Sequence, residues 1–156
     1  MRYLFILNPA AGKQDCTVQL IPQLQQAAVR AGIPVDAVAT CKTEYAGHAK
    51  ALARTAAEEA AKAGEQLHIW TAGGDGTLVE ALTGVQGFAN AAVGCLPYGS
   101  GNDFLRTFGT REEFLDLDAQ LAGGAVPIDL MQTNLGLSAT ICACLLYTSD
   151  AADDRI

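Results

Sequence analysis

Tyr3–Leu7 is an unbroken apolar run, the pattern of a strand buried on both faces, and it stops at the turn-like Asn8-Pro9-Ala10-Ala11-Gly12. From about Asp15 to Arg30, Val18, Ile21, Leu24 and Ala28 recur at helical spacing. Pro22 either kinks this helix or sits in its first turn, and Gly32 ends it. Val35–Ala39 reads as a second strand. Gly47–Ala63 is rich in alanine, glutamate and lysine and predicts a helix closed by Gly64. Leu67–Thr71 is a third strand feeding a loop at Gly73, followed by a short helix over Thr77–Leu82. Ala91–Leu96 is a fourth strand feeding a loop at Gly99, with a short helix over Phe104–Phe108. Thr110-x-x-Glu113 is a capping box for a helix to about Leu121, ended by Gly123-Gly124. Val126–Gln132 and Ala139–Cys144 then suggest two strands around a turn at Asn134-Leu135-Gly136.

Alternation of strands and helices up to Gly124 predicts an α/β domain of three layers, a parallel sheet with helices on both faces. The closing hairpin breaks that pattern and marks the start of something different. With 156 residues, half of them hydrophobic and 17% charged, the chain can build one proper core and is not disordered. A net charge of −7 argues against nucleic acid as a main partner and against broad adhesion to an anionic membrane. No run approaches the ~20 apolar residues of a transmembrane helix, and the first seven residues are too short for a signal segment. Cysteines 16, 41, 95, 142 and 144 are odd in number and irregularly spaced. Buried reduced thiols in a reducing compartment fit them better than a zinc site.

Two loops carry the candidate chemistry. Gly73-Gly74-Asp75-Gly76-Thr77 and Gly99-Ser100-Gly101-Asn102-Asp103 each follow a strand and precede a helix. Glycines admit a phosphate close to the backbone, and the helix behind offers unpaired N–H groups and the positive end of its dipole. A carboxylate beside a phosphate repels it unless a cation intervenes, so Asp75 and Asp103 imply a hard metal such as Mg²⁺. Glycines for phosphates and carboxylates for a metal together suggest phosphoryl transfer. The common phosphate-loop classes fit poorly. Gly12-Lys13 is followed by Gln14, which rules out a Walker A loop, and Phe104 stands where a dinucleotide loop would place its third glycine.

Five motifs fall in order: Asn8-Pro9-x-x-Gly12, Thr43-x-x-x-Gly47-His48-Ala49, Gly73–Thr77, Pro97-x-Gly99-Ser100-Gly101-Asn102-Asp103-Phe104 and Ile128-Asp129-Leu130. The series resembles the catalytic domain of the diacylglycerol kinase family, which includes bacterial lipid kinases and sphingosine kinases, over about residues 3–143. The resemblance implies a Rossmann-like ATP-binding domain, here residues 1–124, and the first strands of a C-terminal β-sandwich, here residues 125–143. The sandwich would complete the lipid site and supply an aspartate as base. By position, Asn8, Pro9, Gly12, Thr43, Gly73, Gly74, Asp75, Gly76, Thr77 and Ser100 match ATP contacts. Asp75, Asp103 and Asp129 match aspartates that organise Mg²⁺ directly or through water. Ser100 stands where threonine is common, and Val79 where asparagine often precedes the glutamate matching Glu80. The implied partners are ATP and a lipid, with transient membrane-surface contact and room for a homodimer. The implied place is the cytoplasm or the inner membrane face.

Plainer readings stand beside these. Asn8-Pro9 alone is a turn, Asp75 alone an N-cap, Lys13 a solvated lysine, His68 a packed strand histidine, Trp70 core and Tyr98 rim. Thr110 and Glu113 have no role beyond capping. His48, at a helix start, is a weak cleft candidate. Residues 144–156 do not continue the family pattern and resemble a translated sequencing adapter, so a native contribution is expected to end near Ala143. Two other functions compete with an ATP-dependent lipid kinase: an NAD kinase, which shares the Gly-Gly-Asp-Gly loop, and a nucleotide-binding module without catalysis.

Overall fold

The four apolar runs become the strands of one parallel sheet. In the computed structural model, which describes residues 1–133 and 136–139, these are β1 (Arg2–Leu7), β2 (Val38–Lys42), β3 (Leu67–Gly73) and β4 (Ala91–Pro97), in the order β2-β1-β3-β4. Between and after them run α1 (Thr17–Arg30), α2 (His48–Lys62), α3 (Asp75–Val85), α4 (Arg111–Leu115) and α5 (Leu117–Ala122). Successive strand residues point to opposite faces. Leu4, Ile6, Leu67 and Ile69 bury one face against Ala49, Ala53, Ala57 and Ala60 of α2 and Ala81 of α3. Phe5, Leu7, Trp70, Ala72 and Leu96 bury the other against Leu20 and Leu24 of α1, with Leu117 and Leu121 of α5 at its margin. The α/β, three-layer expectation holds.

The strand order places a crevice. From β1 the chain moves outward through α1 to β2, then returns past β1 through α2 to β3 and continues through α3 to β4. The direction of winding reverses between β1 and β3, so the loops leaving their carboxyl ends diverge, which is where open α/β sheets bind ligands.

Several boundaries differ from the sequence reading. β2 starts at Val38 because its register pairs Val38 with Tyr3 near the start of β1; Val35–Ala37 precede that pairing and form a 3-10 turn. In α1 the sheet selects the stripe Leu20, Leu24, Ala27 and Ala28, leaving Val18 73% exposed. Pro22 lies beyond the first turn, inside the helix. α3 begins two residues earlier than expected and runs longer. Residues 104–107 form a 3-10 turn. The capping box of Thr110 and Glu113 is formed, but the helix breaks at Asp116, whose carboxylate accepts from Asp118 N and Ala119 N and starts α5 anew.

The chain forms two compact units, Met1–Ala125 and Val126–Ile156. In the second unit, β5 (Met131–Thr133) pairs antiparallel with β6 (Gly136–Ser138). Residues 126–130 are not strand. Asn134, Leu135, the expected strand beyond Ala139, Cys142, Cys144 and the 144–156 tail lie outside the described residues.

Candidate functional site

Loops from the carboxyl ends of β1, β2, β3 and β4 surround a cleft of about 790 Å³. Its floor is the crevice between β1 and β3. Asn8 starts the first wall: its backbone N–H donates to Ala72 O at 2.9 Å, which ties the loop to β3. The Asn8 side chain accepts from Ala10 N at 3.0 Å and donates to Thr77 Oγ1 at 3.1 Å, so one amide shapes its own turn and reaches the first turn of α3. Gly12 closes the turn at φ +74°, and a Cβ there would lie 2.5 Å from Tyr98 O. Both the backbone angle and the space require glycine.

The second wall is the β3 loop. Gly73 O accepts from Tyr98 N at 3.0 Å and Gly99 N at 2.9 Å, binding the β3 and β4 loops together. Gly74, Asp75, Gly76 and Thr77 then face the cleft as the start of α3. Asp75 is not an N-cap of its own helix. Its carboxylate accepts from Asp103 N at 2.9 Å and Phe104 N at 3.0 Å, so it holds the Gly99–Asp103 loop and starts the turn behind it. Within that loop Asn102 is buried and sits at φ +54°, a region that asparagine tolerates better than most residues. Its side-chain amide donates to Gly99 O.

Glu80, matched to a family glutamate in the sequence but given no role there, has one in the fold. One turn into α3, its carboxylate accepts from Gly47 N at 2.8 Å and Ala49 N at 3.2 Å. It thereby caps α2 and fixes the loop that carries Thr43, Glu44, Tyr45 and Ala46 along the cleft. His48 does not line the cleft; its ring stacks on Tyr45 and its Nδ1 accepts from Glu44 N at 3.1 Å. The signal for Glu80 in the sequence was its place in the family pattern alone.

Nine of the ten expected nucleotide contacts line the cleft: Asn8, Pro9, Gly12, Thr43, Gly74, Asp75, Gly76, Thr77 and Ser100. Gly73 is buried behind them, where a Cβ would lie 2.5 Å from Thr77 Oγ1. Asp103 stands behind the lining, and its carboxylate pairs with Arg106 at 3.0 Å. Asp129 belongs to the second unit. Among the described residues no group of three His, Cys, Asp or Glu is gathered at metal distance. Tyr98 packs against the α1-side core instead of forming a rim. Lys13 is exposed and does not line the cleft; His68 packs edge-on to Tyr3 and Trp70, and burial lowers its pKa. Beneath the loops, Cys95 is pushed up to about 12, chiefly by burial and secondarily by the nearby Asp75 charge, so this thiol is not a nucleophile.

A family model of the diacylglycerol kinase catalytic domain matches residues 2–133. The chain belongs to that family. It is 36% identical over 136 residues to the diacylglycerol kinase of Bacillus subtilis (strain 168), covering 85% of this chain and 42% of that protein. With the diacylglycerol kinase of Staphylococcus carnosus (strain TM300) it shares 30% over 135 residues, 85% of this chain and 41% of the other. A crystal structure of a candidate diacylglycerol kinase from Bacillus anthracis str. Sterne superposes with a TM-score of 0.67 at 25% identity, covering 87% of this chain and 47% of that one. The chain therefore spans less than half the length of these relatives. No helix among the described residues is long and apolar enough to cross a membrane.

Proposed function

We propose that this chain is the nucleotide-holding part of an ATP-dependent kinase that phosphorylates a hydroxyl of diacylglycerol or a related lipid. The observation that carries the reading is the meeting of the β1, β3 and β4 loops at the crevice, with the start of α3 exposed along it. The backbone N–H groups of the first turn of α3 have no intrahelical partner and suit the phosphates of ATP. Thr77 Oγ1, held by Asn8 and seated against Gly73, stands in the same turn.

Glu44, Asp75 and Glu80 line the cleft, and no Lys or Arg does among its described residues. A triphosphate entering three carboxylates and no cation needs a cation brought with it. Mg²⁺ is commonly held by one or two carboxylates together with substrate phosphates, so Asp75 with Asp103 near by fits it without a larger protein cage. Bound there, Mg²⁺ would offset the charge of the phosphates. Asp129 lies in the second unit, and its match to a metal-organising aspartate is what the family motif implies. In phosphoryl transfer the lipid hydroxyl oxygen forms a bond to the γ-phosphorus, the bond to the β-phosphate bridging oxygen breaks, and a base takes the hydroxyl proton. We place that base in the length of the relatives that this chain does not cover. The chain alone then binds ATP without turning it over.

Calorimetry with ATP·Mg²⁺, paired with phosphate-transfer assays on diacylglycerol, sphingosine and NAD, tests the reading. Saturable, Mg²⁺-dependent ATP binding without transfer is expected. Phosphorylated NAD would assign the chain to an NAD kinase instead, and absence of ATP binding would overturn both.

A further inference from the structure

Tyr45 is an exposed aromatic residue in an unusual setting. It lines the cleft and is 61% exposed. Its ring lies 4.4 Å from that of His48 with only 6° between the planes, so His48 covers one face of it. Three further hydrogen bonds hold this pair. His48 Nδ1 accepts from Glu44 N at 3.1 Å, which orients the imidazole, and Glu80 accepts from Gly47 N and Ala49 N on either side of His48. A solvent-facing tyrosine normally samples several rotamers at little cost. Here a backing ring and a clamped backbone restrain it at the edge of a cleft large enough for a nucleotide.

We propose that Tyr45 is the stacking platform for the purine base of the bound nucleotide and that His48 is the positioning residue behind it. The inference rests on the nucleotide reading of the cleft and adds the base subsite to it. An apolar, flat partner is what a purine needs and what a phosphate cannot use, because stacking engages the π-face that every base has. The phosphates then belong at the start of α3, and the base beside the loop that carries Tyr45.

The test uses the 156-residue chain and compares ATP·Mg²⁺, GTP·Mg²⁺ and inorganic tripolyphosphate with Mg²⁺ by calorimetry. In Tyr45→Ala, ATP and GTP should each bind about tenfold more weakly, the scale of one lost base–aromatic stack, while tripolyphosphate binds as before. Tyr45→Phe, which keeps the ring, should restore ATP affinity to within about twofold of the parent. His48→Ala should weaken ATP and GTP by a smaller factor and spare tripolyphosphate. If Tyr45→Ala binds ATP like the parent, or loses tripolyphosphate equally, the platform is wrong and the nucleotide reading survives. A parent chain that binds tripolyphosphate but no nucleotide more tightly overturns the platform together with that reading.

Discussion

Replacing Gly99 with alanine should damage the cleft from its hinge. A Cβ on Gly99 would lie 2.8 Å from Gly74 N and 3.1 Å from Asn102 Oδ1, and closer still to Gly74 Cα. Two of these three atoms are backbone, so no rotamer change relieves the contact. Gly99 cannot retreat easily, because its own N–H donates to Gly73 O at 2.9 Å alongside Tyr98 N. Gly74 must therefore move, and its carbonyl accepts the first hydrogen bond of α3, from Leu78 N at 3.2 Å. Overpacking of this kind costs about 1–3 kcal/mol, which for a unit of this size lowers Tm by roughly 4–12 °C. ATP affinity should fall by about tenfold, which corresponds to about 1.4 kcal/mol of lost binding. Gly76→Ala is the contrasting variant. A Cβ there meets nothing within 4 Å, and the residue lies within α3. Alanine should raise stability by about 0.5–1 kcal/mol, yet it places a methyl on the cleft wall and should weaken ATP binding. Thermal melts and calorimetry on both variants separate the two effects. A Gly99→Ala protein with parental Tm and affinity would refute the tight loop contact. A Gly76→Ala protein with parental affinity would refute close backbone approach to phosphate.

Asp75→Ala removes two charge-assisted hydrogen bonds, to Asp103 N and Phe104 N, and should cost about 2–3 kcal/mol in a denaturant melt. Its ATP affinity should also respond less to added Mg²⁺; unchanged Mg²⁺ dependence in calorimetry would leave Asp75 as a bracket between loops and nothing more. For His68, burial holds the folded-state pKa below the ordinary 6.5. The unfolded chain then takes up its proton first as pH falls, so this contribution to stability is present above about pH 6.5 and is lost progressively below it. Melts should show His68→Phe losing less Tm than the parent between about pH 7 and pH 5.5, and equal losses would show that another group carries the slope.

What was legible in the sequence follows from which interactions are local. β1 was readable because a strand buried on both faces is a continuous apolar run, and β3 and β4 because each short, mostly apolar stretch runs into a glycine loop. β2 was displaced by three residues because it is an edge strand, where the register with Tyr3 decides the start and the composition does not. Of the expected α1 stripe only Val18 was misread, because Val18 and Leu20 both suit a helix and only the sheet decides which one is buried. The break at Asp116 was hidden by a capping box that is itself real: a second local cap competes with the first. Nine of the ten residues that the family motifs pointed to lie along the cleft because those motifs fall on the loops after β1, β2, β3 and β4. Asp75's actual partners lie 28 and 29 residues away, and Glu80's lie 33 and 31 away. No spacing rule reaches across those distances, so the roles of both carboxylates had to be read from the fold.

Those two carboxylates also argue for where the parts of a nucleotide belong. Three helical starts meet around the cleft, and each presents backbone N–H groups that an anion can satisfy. The start of α2 is answered by Glu80 through Gly47 N and Ala49 N. The turn at Phe104–Thr107 is answered by Asp75. At α3 the cap position is Gly74, which has no side chain to offer, and the first helical residue, Asp75, has its carboxylate turned to another element. A negative group at the α2 start would compete with Glu80, whereas one at the α3 start would meet donors that no carboxylate among the described residues already matches. Charge thus favours phosphates at Gly74–Thr77, and the α2 side is left for a neutral group. Tyr45 on its histidine backing is the surface there that a neutral, flat group can use. The division predicts opposite sensitivities: variants at Gly76 should weaken nucleotides and tripolyphosphate alike, and variants at Tyr45 should weaken only what carries a base.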